Sequence, residues 1–345
     1  MNKLPTIKDI ARRLNISVST VSRALRNAAD VNADTKMAVH ALAEEINYQP
    51  NKLALGLRRQ QTNTIGVIVP NLDYVMSTMV KGIDEVALEA GFTVMVCQSN
   101  ESFGREIVNT RRLTESLVDG LIISVSSETK IFDHFKKVQQ KEMPIVMFDR
   151  LIPNLPAPGV RIDNEDGGFQ ATEHLIQQGY KRIAILAGPP NLGISNSRLD
   201  GYLAALKKYK IKKDNDLIVH CDFNQDYAFF ATEELLSMKK KPDAIFTISD
   251  RMAIGAMLSI KKRGLSIPQD IGLVGFNNEP VTNLVTPAIS SVEQPSFELG
   301  KIAGKMFIET LHHPESMKGV EQVLKPKLVI RASSQRNINV KANKK

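Results

Sequence analysis

Apolar positions first recur at helical spacing. Ile7, Ile10, Ala11 and Leu14 lie three or four residues apart, which predicts a helix capped by Thr6. Asn15-Ile16-Ser17 reads as a turn, because asparagine tolerates left-handed backbone. A second helix starts near Ser17 and carries Val18, Val21, Ala24 and Leu25. Asn32 caps a third, with Ala38, Ala41, Leu42 and Ile46 expected inside. Residues 50–59, PNKLALGLRR, form at most one short helix, and 60–64, QQTNT, read as a linker.

From Ile65 the period changes. Near-continuous apolar runs stand at 65–69, 92–97, 120–124 and 145–149, then at 182–188, 216–221, 244–248 and 271–276. Amphipathic stretches of helical length separate them. This alternation predicts parallel sheets covered by helices on both faces, an α/β body. Eight strands exceed one compact half, and the Pro-rich stretch 151-LIPNLPAPG-159 divides them into two groups. The expected fold is thus an all-α headpiece followed by a two-lobed α/β domain, with a cleft at the carboxyl ends of the strands.

Charge sharpens the division. The 345 residues carry a net charge of +8. Residues 1–61 hold ten Lys and Arg against five Asp and Glu, a net +5, leaving +3 for the remainder. A basic module ahead of a near-neutral body suggests a polyanion-binding segment, although a solvated basic surface gives the same sum. A composition 43% hydrophobic and 24% charged excludes wholesale disorder. Two cysteines, Cys97 and Cys221, both in strand-like runs, exclude a disulfide framework. They read as buried core residues of a cytoplasmic protein. The apolar runs are too short to span a membrane, and MNKLPTIKDIARR lacks the apolar stretch of a secretory signal.

The segment 6-TIKDIARRLNISVSTVSRAL-25 has helix-turn-helix spacing. One helix must end, turn within a few residues and restart steeply, with small Ala11 at the crossing. Val18, Ser19, Ser22 and Arg23 then face outward near the second helix's N-terminus, in reach of major-groove base edges. Arg23 has the fork to read guanine, and Ser17 and Thr20 suit phosphates. Thr6 completes the DNA-facing set. A plain bundle with a polar face is the bland alternative.

That run, followed by NADTKMAVHALAEEINYQPNKLALGLR and TIGVIVPN, resembles the lactose/galactose repressor (LacI/GalR) family of bacterial transcription regulators. The resemblance extends over nearly the whole chain. It implies a headpiece, a hinge helix, a two-lobed effector domain shaped like periplasmic sugar-binding proteins, and a homodimer on palindromic operator DNA. Val18, Ser19 and Arg23 fall on the family's base-reading positions. Asn51, Ala54 and Leu57 fall on the hinge helix, and Leu57 matches a leucine that wedges into the minor groove. The implied divisions are a DNA-binding domain at 1–49, a hinge and linker at 50–61, an effector domain at 62–337 and a basic tail at 338–345. The lobes would be 62–160 with 292–321, and 161–291 with 322–337. The absence of leucine heptads after Arg336 favours a dimer over a tetramer.

Effector candidates sit at strand ends. Asp149 and Arg150 close one run, Asp250 follows another and is as good a helix cap as a ligand, and Arg198 opens a helix in 191-NLGISNSRLDGY-202. Phe223 and Asn277 follow two further runs, and Tyr74 lies in the loop after the first. In the family, positions matching Asp149, Arg198, Phe223 and Asn277 contact the effector, usually a carbohydrate. Two departures stand out: Asn277 replaces the usual aspartate, and Tyr74 is followed by Val75 and Met76, not by a second aromatic. Asp149, Arg150 and Arg198 together sum to one positive charge, which slightly favours an anionic effector.

Enzyme readings find no support in motifs. GxxxxGK[ST], HExxH and GxSxG are missing from the sequence, the six histidines show no metal spacing, and GPPNLG at 188–193 reads as a βα turn. No catalytic residue, metal ligand or cofactor is predicted. A secreted solute-binding protein is the other rival, against which the basic headpiece argues.

Overall fold

The computed structural model describes residues 5–48 and 62–336. The chain divides into two compact units, Met1–Asn63 and Thr64–Lys345.

The first unit holds α1 (Ile7–Leu14), α2 (Val18–Ala24) and α3 (Ala33–Glu45). Local chemistry starts each helix. The Asp9 carboxylate accepts from the Thr6 backbone N–H at 2.9 Å and its hydroxyl at 2.6 Å. Ser17 Oγ accepts from the Thr20 N–H at 3.1 Å, and Asn32 Oδ1 from the Asp34 N–H at 2.9 Å. Asn15 holds the left-handed turn at φ 52°. Ile10, Val21 and Val39 are wholly buried and form the centre of a small core with Ala11, Ala24 and Leu42. The inward face of α3 is Val39, Leu42 and Ala43, with Ile46 half-buried, whereas Ala38 and Ala41 face solvent. The three-four spacing holds, but its phase follows the larger valine, because an alanine gains little by burial.

The second unit contains two six-stranded sheets. The first runs β11 (Glu321–Leu324), β5 (Gly159–Ile162), β4 (Ile145–Phe148), β3 (Gly120–Ile123), β1 (Thr64–Val69), β2 (Thr93–Gln98). The second runs β12 (Lys327–Val329), β10 (Ser290–Glu293), β9 (Gly272–Asn277), β8 (Ala244–Thr247), β6 (Ile183–Ala187), β7 (Ile218–His220). Pairing is parallel except between β10 and β12. All eight apolar runs are strands.

Three expectations about this unit change. The Pro-rich stretch does not separate the sheets: it links β4 to β5, which are neighbours with Met147 opposite Gly159. The chain leaves one sheet for the other after Ile162, Glu293 and Leu324, two or three residues beyond the expected switches at 160, 291 and 321. A strand completes its ladder before the chain departs, so the last paired residue sets the crossing. The cysteines are half-buried at the margins of the core, not inside it.

Between strands lie α4 (Tyr74–Glu89), α5 (Phe103–Glu115), α6 (Asp133–Gln139), α7 (Asn164–Gln177), α8 (Gly193–Lys208), α9 (Gln225–Ser237) and α10 (Asp250–Lys262). After β9 and β10 come α11 (Val281–Leu284), α12 (Ser296–His312) and α13 (Pro314–Met317). The turn GPPNLG is indeed the βα turn from β6 into α8.

Candidate functional site

In the first unit the outward side of α2 is a row of small and charged groups. Val18 is 41% exposed, Ser19 and Arg23 are exposed, and Ser22 is half-buried. Ser17 Oγ lies 2.7 Å from Ser19 Oγ and 2.8 Å from Thr20 Oγ1, so the hydroxyls form one cluster at the helix N-terminus. Arg23 pairs with Asp30 at 2.7 Å, with both side chains about half exposed. Such a pair is worth little in water and exchanges its carboxylate for another acceptor at low cost. Arg26 was not singled out in the sequence. Its Nε donates to Ser22 O at 3.0 Å, one helical turn away, and steadies that residue's backbone. Thr6 is exposed at the start of α1. Asn51, Ala54, Leu57 and the basic tail lie outside the described residues.

In the second unit the strand ends surround a cavity of about 710 Å³. Asp149 and Arg150 follow β4, Phe223 follows β7, Asn277 ends β9, and Arg198 comes from α8; all five line it. Arg198 is 3% exposed. Its Nε donates to Asn164 Oδ1 at 2.8 Å, one terminal nitrogen donates to Ile248 O at 2.6 Å, and its guanidinium lies 3.7 Å above the Phe276 ring. Burial lowers its pKa to about 10, partly offset by Asp149. The arginine stays charged and is held in one orientation.

Arg150 is also buried, but its partner is one the sequence did not suggest. Glu101, just beyond β2, receives both terminal nitrogens, at 2.8 and 2.9 Å. Burial works against the arginine's charge, and this bidentate carboxylate more than compensates. Asp149 has left-handed backbone at φ 60°. Burial raises its pKa; Arg150 and Arg198 oppose that rise, while Asp73 and Glu101 add to it. Asn277, at φ 111°, accepts from Gln294 Nε2 at 3.3 Å. Two buried polar atoms in the cavity wall, Arg150 Nε and Gln294 Oε1, have no hydrogen-bond partner among the described residues.

Two expected lining residues lie elsewhere. Tyr74 is 45% exposed at the first turn of α4 and does not line the cavity. The helix is capped by Asp73, whose Oδ1 accepts from the Met76 N–H at 3.1 Å, and Val75 and Met76 supply the wall in its place. Asp250 is wholly buried behind the cavity. It accepts from Ser291 Oγ and the Glu279 N–H, both at 2.7 Å, and so ties β10 and the loop after β9 to α10. Ser249, not Asp250, caps that helix. Burial, against those two hydrogen bonds, lifts the Asp250 pKa to about 7. Gly275 on β9 makes room for it, since a Cβ there would strike Asp250 Oδ1.

The charge of the wall reverses the sequence sum. Arg150, Arg198 and Arg251 face Asp73, Glu101, Asp149, Asp222 and Glu279, two more acids than bases when all are ionised. Applying the strand-end rule to β2, where QSNES follows the apolar run, would have found Glu101. The same rule applied to β9, where NNE closes the run, would have found Glu279.

Residues 62–327 match the family model for periplasmic binding proteins and the sugar binding domain of the LacI family, and residues 6–51 match bacterial regulatory proteins of the lacI family. The chain belongs to the LacI family. It is 32% identical over 330 residues to the HTH-type transcriptional repressor CytR of Escherichia coli (strain K12), covering 95% of this chain and 96% of that one. It is 30% identical over 332 residues to the ribose operon repressor of Halalkalibacterium halodurans, covering 96% and 97%. The lac repressor dimer bound to operator and the anti-inducer ONPF superposes with a TM-score of 0.87 at 27% identity, covering 96% of this chain and 99% of that one. This LacI-family chain is a DNA-binding transcription regulator under the control of a small-molecule effector. No helix among the described residues is long and apolar enough to cross a membrane.

Proposed function

We propose that the chain is a homodimeric cytoplasmic repressor, without catalytic activity, whose grip on a palindromic operator is set by an uncharged, hydroxyl-rich effector in the cleft. A sugar or a nucleoside has the required chemistry: a ring with an apolar face and hydroxyls at its edge. Val18, Ser19 and Arg23 read bases, and Thr6, Ser17, Thr20 and Ser22 support the docking. Leu57, with Asn51 and Ala54, acts at the centre of the operator, where an apolar wedge partly unstacks a base step.

The wall of the cleft carries the effector part of this reading. Its excess of carboxylates disfavours an anion, which removes the preference for sugar acids or phosphates drawn from three residues alone. Arg198 and Asn277 supply fixed polar contacts, Arg150 Nε and Gln294 Oε1 supply open ones, and Phe223 supplies an apolar face. Regulation follows if the ligand binds one arrangement of the lobes better than another.

The test combines thermal stabilisation with operator gel shifts across neutral sugars, nucleosides and their phosphates. A neutral ligand should raise the melting temperature and change operator affinity together. A phosphorylated ligand that stabilises better than its neutral parent overturns the effector class.

A further inference from the structure

A second cavity, of about 370 Å³, lies between α5 and α6 and shares no lining residue with the cleft. Its floor is apolar: Phe103, Ile107, Ile131 and Val138. Ile107 is 37% and Ile131 57% exposed, so this apolar surface is open to a ligand. Its rim is cationic. Arg111, Lys137 and Lys141 stand against one acid, Asp133, which is engaged by Lys136 at 3.3 Å. Arg111 reaches Glu115 only at 3.9 Å across exposed surface.

The back of this groove is bonded to the cleft. Glu106 of α5 is wholly buried and accepts from the Ser126 N–H at 2.7 Å, Thr129 Oγ1 at 2.8 Å and His134 Nε2 at 3.0 Å. The next amide, Ser127 N–H, goes to Glu101 Oε2 at 2.7 Å, the carboxylate that grips Arg150 in the cleft. Ser127 O accepts from Asn191 Nδ2 of the opposite lobe at 2.8 Å. Two carboxylates five residues apart therefore hold adjacent amides of one loop, one from the groove side and one from the cleft side.

We propose that the α5–α6 groove binds a small amphipathic anion, an apolar ring or branched chain bearing a carboxylate or phosphate, and that its occupancy is felt in the effector cleft through residues 126–129. The anionic group meets the three rim cations and the apolar part covers Ile107 and Ile131. A ligand that fixes α5 against α6 also fixes Glu106, and with it the loop whose other side positions Glu101 and Arg150. The coupling is reciprocal, so an effector in the cleft alters affinity in the groove. This site is independent of the effector assignment above.

Calorimetry on the full-length protein, with 2-naphthoate and phenyl phosphate as separate probes, tests the site. At least one should bind with a dissociation constant of about 1 mM or tighter, and the better of the two identifies the acid group. Lys137→Glu with Lys141→Glu, both on the surface, should weaken it about tenfold or more without changing the melting temperature. Ile131→Ser should weaken it too. Arg198→Ala should bind the probe as the unaltered protein does. Hydrogen exchange at the Ser126–Thr129 amides should slow when the probe is bound. Failure of both probes, indifference to the charge reversal, or loss of binding in Arg198→Ala overturns the site. Binding with unchanged exchange at 126–129 overturns the coupling.

Discussion

Arg23 and Arg198 show how differently the two units use one residue type. Arg23 is about half exposed, holds one surface carboxylate, and stands on a unit whose core is a handful of residues. Arg198 is buried, with two hydrogen bonds and an aromatic face fixing its plane. The first is free to exchange its partner, which suits a group that meets DNA from water. The second has been desolvated and oriented in advance, which suits a group that must grip a small ligand with few contacts. The contrast extends to the surroundings. Around α2 polar groups are presented by a scaffold, whereas around the cleft the polar groups are themselves part of the packing.

The most drastic way to break this contrast is to remove one unit. Val21 is wholly buried in the small core, so Val21→Asp should unfold the headpiece, because an unpaired buried carboxylate costs several kcal/mol, comparable with the stability of so small a unit. Gel shifts should show operator binding abolished, while effector still stabilises the remaining unit in thermal melts. Joint loss of both would mean the units do not fold separately.

Arg198→Ala comes next. Losing charge-assisted contacts of about 1.5–3 kcal/mol should weaken effector binding by one to two orders of magnitude, read by calorimetry. Operator binding without effector should stay near normal. Its loss would make Arg198 a strut of the lobe and no more than that.

Arg23→Ala should cost about 1–3 kcal/mol per half-site on operator DNA and less on random DNA. Equal losses on both would reduce Arg23 to a phosphate contact. Asp30→Ala should leave operator affinity nearly unchanged, since the pair it breaks is worth under about 1 kcal/mol.

A further effect, on stability and not on binding, concerns Asp250. Its folded pKa of about 7 stands above the ordinary 3.8. From about pH 4 to 7 the folded protein keeps a proton that the unfolded chain has released, so stability falls as pH rises through that window. Asp250→Asn should therefore gain on the unaltered protein between pH 5 and pH 8, by about a few degrees in melting temperature. Parallel melting curves across that range would mean Asp250 ionises normally where it lies.

The headpiece was legible because its determinants are local. Thr6, Asn15, Ser17 and Asn32 act on backbone within three residues, and the side chains that form the core follow from helical period. Only the phase of α3 escaped, where alanines gave it too little weight. The eight apolar runs of the second unit were equally plain: six are strands covered on both faces, which must be apolar throughout, and β2 and β7 are apolar edge strands with exposed or half-buried positions. EQVL and KLV carried no such mark because they are exposed strands at the sheet margins, and GVRI and SSVE carried none because Arg161 and the buried, hydrogen-bonded Ser290 and Ser291 interrupt their apolar runs.

The sequence by itself determined that there is a helical headpiece, that an α/β body follows, that Asp149, Arg150, Phe223 and Asn277 stand at strand ends, and that Arg198 stands on a helix that follows one. Only the tertiary structure decided what those ends meet. It placed Glu101 on Arg150, brought Glu279 and Asp73 to the cleft, withdrew Tyr74 to the surface and Asp250 into the core, and so lined the cleft with more carboxyl groups than guanidinium groups. Secondary structure and caps depend on neighbours along the chain. The charge of a cavity depends on which distant side chains converge there and how far each is desolvated, and no local pattern encodes that sum.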